Sequence, residues 1–588
     1  MSINGRTETT TGRIRGRPEG GFLGTLRVAA LAAALAGAVG SVGLTLHAGR
    51  HNDSRILVLL FALWVLAPFV ALILANVVSK RWPVLTRATL YSLMLVLTFG
   101  TLAIYADVAL GRPRAKPAFV FIVVPPVSWL LIAVVVPIAA LISCSLSRRG
   151  DCDRRGMAAG AHAHVAEPEL AWWQLMLTTR LTRRIFKAIA VSAMLGVFGA
   201  GMLLGSLWLE HRIAITLPAP TGPFAVGRVI CDWTDDVTTD TLAPVPGTRR
   251  ELAVWIWYPS EPGQSAATMD DYLPASWREA IELERGTLIS KFLTRDLSQV
   301  HAHSIRNAGV SPRQHSFPVV IMRGGASAEV ANYTTLAEDL ASYGYVVVGL
   351  DAPYRTSVVV FPDGRVMTRT PRNDPELCMG LREPEQARCV GRLLSAWTAD
   401  LAFALDRLER LNSSDTTAKF TGRLDLTRVG VFGHSFGGAS AAQFCHDDSR
   451  CKAGIDLDGA PFGSVIQEGL HQPFLFVLSD QIHSSDAETR HVLGNVQSIY
   501  DRLPLDGRLR ILIRGANHFL FSDDGALLKS HIVVRTLRML GIVGIDGRRQ
   551  LAVTAHCVHS FFDAHLKETG VSRLEIPSPL YPEIQVLE

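Results

Sequence analysis

Five long apolar runs lie in the first third of this 588-residue chain and restrict what that part can form. A helix of about 20 apolar residues is long enough to cross a hydrocarbon layer of roughly 30 Å. Lipid offers no hydrogen-bond partners, so the backbone groups of such a run must bond to one another, as they do in a helix. The sequence therefore predicts an all-α bundle of five transmembrane helices, at Val28 to Leu46, Ile56 to Val78, Ala88 to Leu110, Phe119 to Leu146 and Phe186 to Leu209. The expected division is a basic segment 1–27, a membrane region 28–209, a linker 210–225 and a catalytic domain 226–588.

The distribution of Lys and Arg predicts the orientation of this bundle. Sixteen of them precede the first run or lie in connections on the same side, against five in the connections on the other side. Positive residues favour the cytoplasmic side, so we expect a multi-pass protein of the plasma membrane with a cytoplasmic amino terminus and an extracytoplasmic catalytic domain. Pro125, Pro126 and Pro137 make the fourth run the least regular, and the catalytic domain would change sides if that run did not cross.

Beyond the linker, strand-like and helix-like segments alternate. Runs of β-branched and aromatic residues predict strands at Leu252 to Tyr258, Phe317 to Met322, Tyr345 to Leu350, Arg428 to Phe432, Ala453 to Leu457, Pro473 to Leu478 and Leu509 to Ile513. Helical patterns lie between several of them, notably Thr334 to Tyr343, Cys389 to Leu411 and Gly437 to Cys445. This alternation is typical of an α/β fold with a mostly parallel sheet flanked by helices.

The pentapeptide Gly433-His434-Ser435-Phe436-Gly437 follows one predicted strand and precedes a predicted helix. It is the G-x-S-x-G nucleophile elbow in its expected setting, where a tight turn exposes the serine hydroxyl above the sheet edge. Ser435 is therefore the predicted nucleophile of an α/β-hydrolase fold. A serine needs a nearby imidazole as base and a carboxylate to orient that imidazole.

The chain order Ser, acid, His selects the partners of Ser435. His518 follows the last clear strand and is the predicted base. Asp458 ends the strand after the elbow helix, and Asp480 ends the next one; position alone does not choose between these acids. The oxyanion hole is expected to use the backbone amides of Phe436 and of Ala326, because Ala326 lies in a glycine-containing loop after an earlier strand.

Composition adds little about partners. The net charge of +5 reflects the arginines beside the apolar runs, no nucleic-acid motif is present, and no zinc or calcium ligand pattern is evident. No cofactor is predicted. Among the eight cysteines, Cys378 with Cys389 and Cys445 with Cys451 are close pairs in the part predicted to be extracytoplasmic. Spacing alone does not decide whether either pair is bonded.

Several segments resemble the platelet-activating-factor acetylhydrolase family, the group that contains lipoprotein-associated phospholipase. The likeness rests on Pro220 to Gly227, Arg250 to Pro259, the elbow and Ala453 to Asp458, and it covers about Pro220 to His565. In that family the acid follows the strand after the nucleophile helix, which favours Asp458 over Asp480. The family's oxyanion loop usually carries a His-Gly pair, whereas this chain has Gly324-Gly325.

The resemblance implies a calcium-independent, cofactor-free esterase that acts on short or oxidised acyl groups of phospholipids. The expected function is thus a membrane-anchored serine ester hydrolase of lipid or other acyl-ester substrates, working through an acyl-enzyme. Two alternatives stay open. An acyltransferase would share the same triad and the first half-reaction, and a catalytically silent domain would only bind lipids or partners.

Overall fold

The computed structural model describes residues 22–49, 55–79, 82–110, 118–157, 202, 205–261, 271–286, 290, 294–326, 328–480, 487–527, 544–567 and 578–587. The chain forms two compact units, Met1–Leu203 and Leu204–Glu588.

Four helices are described in the first unit: α1 (Phe22–Ala48), α2 (Arg55–Val78), α3 (Val84–Leu110) and α4 (Ala118–Met157). Among the residues described here, three stretches are long and apolar enough to cross a membrane, namely Leu23–Ala48, Phe61–Val78 and Val84–Ala109. The fourth predicted run is helical but contains three prolines, and its apolar part, Val124–Ala140, is shorter. The fifth predicted run, Phe186 to Leu209, lies largely outside the described residues, so the count of five is not confirmed.

Small and polar side chains bring the helices of the first unit together. The Ser79 and Tyr91 hydroxyl oxygens lie 3.1 Å apart, and those of Thr86 and Ser143 lie 3.0 Å apart. A side chain at Gly37 would overlap Thr98 of α3. Such hydrogen bonds and close backbone approach are typical of helices that associate without a hydrophobic driving force between them.

The second unit is built on a ten-stranded sheet with the strand order β14-β13-β12-β11-β10-β6-β7-β3-β2-β5. The six strands from β13 to β7 in that order are parallel to one another, and β3 and β14 are antiparallel to their neighbours β7 and β13. The strands in the described part of the unit are β1 (Ile215–Thr216), β2 (Ala225–Thr239), β3 (Arg249–Ser260), β4 (Val300–His301), β5 (Ile305–Arg306), β6 (Phe317–Arg323), β7 (Val346–Asp351), β8 (Val358–Val360), β9 (Val366–Thr368), β10 (Leu424–His434), β11 (Cys451–Leu457), β12 (Phe474–Leu478), β13 (Arg508–Ile513) and β14 (Ile584–Val586). The predicted α/β fold is confirmed, with a strand at each of the seven predicted places.

Helices cover both faces of this sheet, which explains the near-continuous apolar strands. Every residue of β6, β7 and β12 is buried, as expected for parallel strands packed on two sides. The helices described are α5 (Ala275–Arg285), α6 (Thr334–Ser342), α7 (Pro375–Met379), α8 (Glu385–Ser413), α9 (Phe436–Asp447), α10 (Val465–Glu468), α11 (Ala487–Tyr500), α12 (Asp524–Leu527) and α13 (Gly547–Leu566). The carboxyl ends of β6, β10, β11, β12 and β13 share one edge of the sheet, and functional groups are expected there.

A group of buried charges ties the long helix α8 to this unit. The Arg355 guanidinium donates two hydrogen bonds to the Asp400 carboxylate, at 2.7 and 2.6 Å, and one to Asp240 at 2.7 Å. Arg323 and Arg250 also lie within 4 Å of Asp400, which is fully buried. In a medium of low dielectric constant each of these charges depends on the others.

Replacing Asp400 is therefore expected to destabilise the protein strongly. Asp400→Ala leaves the Arg355 guanidinium buried with half of its partners, which typically costs about 3–5 kcal/mol. The matched control is Asp363→Ala, which removes a solvent-exposed partner of Arg365 and is expected to change the unfolding temperature little, because water screens that pair. Thermal unfolding of the purified protein in detergent measures both. Equal shifts for the two variants would contradict this account.

Candidate active site

The elbow is a strained turn between β10 and α9. Ser435 has φ 56° and ψ −126°, a conformation that non-glycine residues rarely adopt. Close packing requires its small neighbours: a side chain at Gly433 would overlap the Gly437 backbone, and one at Gly437 would overlap the carbonyl of Gly324. The sequence pattern G-x-S-x-G is thus a steric requirement of this turn.

The three residues predicted from chain order lie together at the sheet edge. The Ser435 hydroxyl is 3.2 Å from Nε2 of His518, and Nδ1 of His518 is 2.7 Å from Oδ2 of Asp458. The other oxygen of Asp458 accepts a hydrogen bond from the Ser479 amide at 2.7 Å. Burial opposes ionisation of the Asp458 carboxyl, but the bonds from His518 and Ser479 outweigh it and lower its pKa. This geometry permits proton transfer from the hydroxyl to the ring.

Buried side chains hold the two loops that carry Asp458 and His518. Asp458, like Ser435, has a positive φ, here 54°. The turn that contains Asp458 is closed by the Gly459 amide, which donates to a carboxyl oxygen of Asp456 at 2.8 Å. The Gln550 side chain, on α13, accepts from the Asn517 amide at 3.0 Å and donates to the Asn517 carbonyl at 2.9 Å. The residue before His518 is therefore held on both sides.

The alternative acid, Asp480, has a different role in the loop. Its Oδ2 accepts a hydrogen bond from the Gly515 amide at 2.8 Å, and its own amide donates to the Ala516 carbonyl at 3.1 Å. Asp480 thus ties β12 to the turn after β13. Because the Nδ1 hydrogen of His518 is directed to Asp458, the structure pairs the ring with the earlier of the two acids.

The two predicted oxyanion residues flank the nucleophile. Phe436 is the first residue of α9, where amide hydrogens have no carbonyl one turn earlier and the helix dipole favours negative charge. Ala326 follows Gly325, at which a Cβ would stand 3.4 Å from the Cβ of Ser435. The loop therefore passes directly beside Ser435, where the predicted oxyanion loop is expected to lie.

Three residues that sequence reasoning missed support this loop. The Tyr333 hydroxyl accepts from the Gly325 amide at 3.1 Å and lies 2.8 Å from Nδ1 of His434. Arg369 donates to the Ala326 carbonyl at 3.0 Å. Burial, and then the neighbouring His518 ring, lower the pKa of His434 to about 3, so His434 stays neutral and accepts from Tyr333. The position of His434 inside the elbow was the one available signal, since Tyr333 and Arg369 belong to distant segments.

Within the described ranges there is no group of three or more His, Cys, Asp or Glu residues that could hold a metal ion. Both close cysteine pairs, Cys378–Cys389 and Cys445–Cys451, form disulfides.

The second unit has counterparts among known proteins. The family model for platelet-activating factor acetylhydrolase, isoform II, matches residues 211–359 and 399–572, together more than half of the chain. The chain belongs to this family. The chain is therefore a serine ester hydrolase, like the acetylhydrolases and esterases that it matches. The predicted resemblance to this family is confirmed.

Among individual members of the acetylhydrolase family, a protein of Arthroderma benhamiae named "Probable 1-alkyl-2-acetylglycerophosphocholine esterase" is 25% identical over 397 residues, covering 63% of this chain and 94% of that protein. The platelet-activating factor acetylhydrolase of Cavia porcellus is 23% identical, covering 52% of this chain and 69% of that protein. A solved structure, the ferulic acid esterase of Streptomyces cinnamoneus, is 27% identical with a TM-score of 0.51 and covers 64% of this chain and all of that one.

The neutral state of His434 predicts how stability depends on pH. An unfolded histidine has a pKa of about 6.5, so as the pH falls the unfolded chain takes up a proton here well before the folded chain does. This contribution to the free energy of unfolding is complete above pH 6.5 and is lost towards pH 3, by about 1.4 kcal/mol per pH unit.

His434→Asn, which keeps an acceptor but does not titrate, tests this expectation. Thermal unfolding between pH 7 and 4.5 should show the gap between wild type and variant narrowing, or reversing, as the pH falls. Parallel curves over that range would contradict the assignment.

Proposed function

We propose that this chain is a membrane-anchored carboxylic-ester hydrolase that cleaves acyl esters of lipids, with Ser435 as nucleophile, His518 as base and Asp458 as orienting acid. The single observation that carries this proposal is the continuous hydrogen-bond chain from the Ser435 hydroxyl through His518 to Asp458. The acyl-ester class is supported by the relatives, whose names specify acetylglycerophosphocholine esterase and acetylhydrolase activity.

The first half-reaction forms an acyl-enzyme. The Ser435 oxygen attacks the ester carbonyl carbon while Nε2 of His518 takes the hydroxyl proton, and the carbonyl oxygen becomes an anion. Collapse of this intermediate breaks the bond to the leaving alkoxide, which receives the proton from His518. Asp458 stabilises the imidazolium throughout, because its lowered pKa keeps the carboxylate ionised.

In the second half-reaction water takes the place of the leaving alcohol and releases the acyl group from Ser435. His518 removes a proton from water, the hydroxide attacks the acyl-enzyme, and Ser435 leaves with the proton from the ring. The amides of Phe436 and Ala326 bind the oxyanion in both half-reactions. Loss of one such donor typically costs about 3–4 kcal/mol of barrier, so the Gly324–Ala326 loop matters to rate as much as a side chain does.

The proposed setting is the outer face of the plasma membrane. Three helices of the first unit are long and apolar enough to anchor the chain, and both disulfides belong to the second unit. Disulfides persist outside the reducing cytoplasm, which agrees with the orientation that the positive residues indicate. The proposed domains are the membrane region 28–209, the linker 210–225 and the catalytic domain 226–588.

Removing the nucleophile tests the proposal directly. Ser435→Ala is expected to abolish labelling by a fluorophosphonate probe and to lower kcat for a p-nitrophenyl ester by about 10⁴-fold or more. Ser449→Ala, at an exposed serine, is the control and should label like the wild type. Labelling of equal strength in wild type and Ser435→Ala would remove Ser435 from the mechanism.

A second pair of variants separates the two acids. Asp458→Asn should lower kcat by about 10³–10⁴-fold, because the ring loses its orienting anion, while KM changes little. Asp480→Asn removes an acceptor for the Gly515 amide and should change kcat only a few-fold. Steady-state kinetics on the two purified variants decide the matter. A larger loss for Asp480→Asn would reverse the assignment.

A further inference from the structure

One segment beside the site does not belong to the family pattern. Residues 360–398 fall between the two ranges that match the acetylhydrolase family model. This intervening segment contains β9, α7 and the first half of α8, and the Cys378–Cys389 disulfide ties α7 to α8. The family model therefore does not describe the contacts of this segment.

The intervening segment packs on the residues proposed to bind the oxyanion. A single apolar cluster, here called the Phe436 cluster, contains residues of the intervening segment together with Phe436 and Ala326. Its buried members are Leu242, Cys378, Val390, Leu393, Leu394, Ala396, Trp397 and Phe436, and its partly exposed members are Ala326, Met379, Cys389 and Phe462. Most of these residues come from the intervening segment, and both oxyanion residues are among them.

The position of Phe436 within the cluster is well defined. Its ring lies edge-on to Trp397, with centroids 5.0 Å apart, and 6.3 Å from the ring of Phe462. Trp397 is in turn covered by the Arg323 guanidinium at 4.1 Å, and Arg323 immediately precedes the Gly324–Ala326 loop. On the other side, Arg369 of the intervening segment holds the Ala326 carbonyl and pairs with Asp374 at 3.0 Å.

The open face of the cluster is apolar. Its partly exposed members, Ala326, Met379, Cys389 and Phe462, carry no charge, and the Met379 sulfur is contacted by the Gln386 amide at 3.7 Å. An ester whose carbonyl oxygen lies on the Phe436 and Ala326 amides has both substituents of its carbonyl carbon, the acyl group and the alcohol, beside this loop, and of the two the hydrocarbon acyl group matches the apolar cluster. A hydrocarbon chain suits such a surface, because its burial there removes apolar area from water.

We propose that the intervening segment forms the wall of the acyl-chain site, with Met379 and Phe462 contacting the chain and Met379 limiting its length. The inference rests on the proposed function and adds the residues that select its substrate. Residue 379 follows the bonded Cys378 at the end of α7, so the wall is held by a covalent link to α8. Short acyl groups fit against it, and longer ones meet the Met379 side chain.

The experiment compares kcat/KM for p-nitrophenyl acetate, butyrate and octanoate in the full chain in detergent. Met379→Ala should raise the octanoate-to-acetate ratio by about tenfold or more, the size of effect expected for one or more methylenes in a pocket. Met379→Trp should lower the ratio. Leu377→Ala, an exposed residue of the same helix that is not in the cluster, is the matched control and should leave the ratio unchanged.

Fluorophosphonate labelling of Ser435 in every variant separates the possible failures. If Met379→Ala labels and hydrolyses esters with the wild-type ratio, the acyl wall is overturned and the proposed function stands. If Ser435 of the wild type neither labels nor supports hydrolysis, the proposed function falls, and the acyl wall with it. Should Met379→Ala not label, the milder Met379→Val decides in its place, with a ratio raised several-fold or unchanged.

Discussion

Ser435 and Asp458 both leave the sheet from the last hydrogen bonds of parallel ladders. The Ser435 amide donates to the Leu457 carbonyl at 2.9 Å, and the Asp458 amide donates to the Val477 carbonyl at 2.7 Å. Both residues then turn with positive φ, at 56° and 54°. Strands β10 and β11 are paired so that His434 lies opposite Leu457, and the two strained turns therefore start at the same level of the sheet edge. The Ser435 and Asp458 side chains can then both contact the His518 imidazole. The sheet register is thus the constraint on which the proposed triad depends.

The packing behind the site explains how such strain is tolerated. Asp400 is buried with Arg355, and Arg323 joins this group while donating to the Leu350 carbonyl at 2.6 Å. Arg323 also ends β6 and begins the loop beside the nucleophile. The buried charges therefore fix the origin of that loop, and Tyr333 fixes its middle through the Gly325 amide. Preorganised amides of this kind need no rearrangement when negative charge develops.

Much of this arrangement was predictable from the chain alone. Seven strands follow from runs of β-branched residues, since strands buried on both faces read as continuous apolar segments. Ser435 and His518 follow from the steric demands of the elbow and from the position of a histidine after the last central strand. Position alone did not choose between Asp458 and Asp480, because both end parallel strands; the family resemblance favoured Asp458, and in the structure Asp480 instead accepts a hydrogen bond from the Gly515 amide.

Long-range contacts account for the rest. Tyr333 and His434 are 101 residues apart in sequence, and Arg369 reaches Ala326 across 43 residues, so no local pattern records either pair. The number of membrane spans is also not decided by apolar length alone, since Pro125, Pro126 and Pro137 shorten the apolar part of α4.

The disulfide between α7 and α8 has a practical consequence for handling the protein. The bond joins two cysteines only 11 positions apart in sequence, and it is separate from the residues that would perform the chemistry. Material produced in a reducing cytoplasm, or stored with a thiol reagent, would keep Ser435, His518 and Asp458 but lose the tie that holds Met379. Preparations with the Cys378–Cys389 bond formed and preparations with it reduced are then different enzyme samples, and their substrate profiles should not be combined.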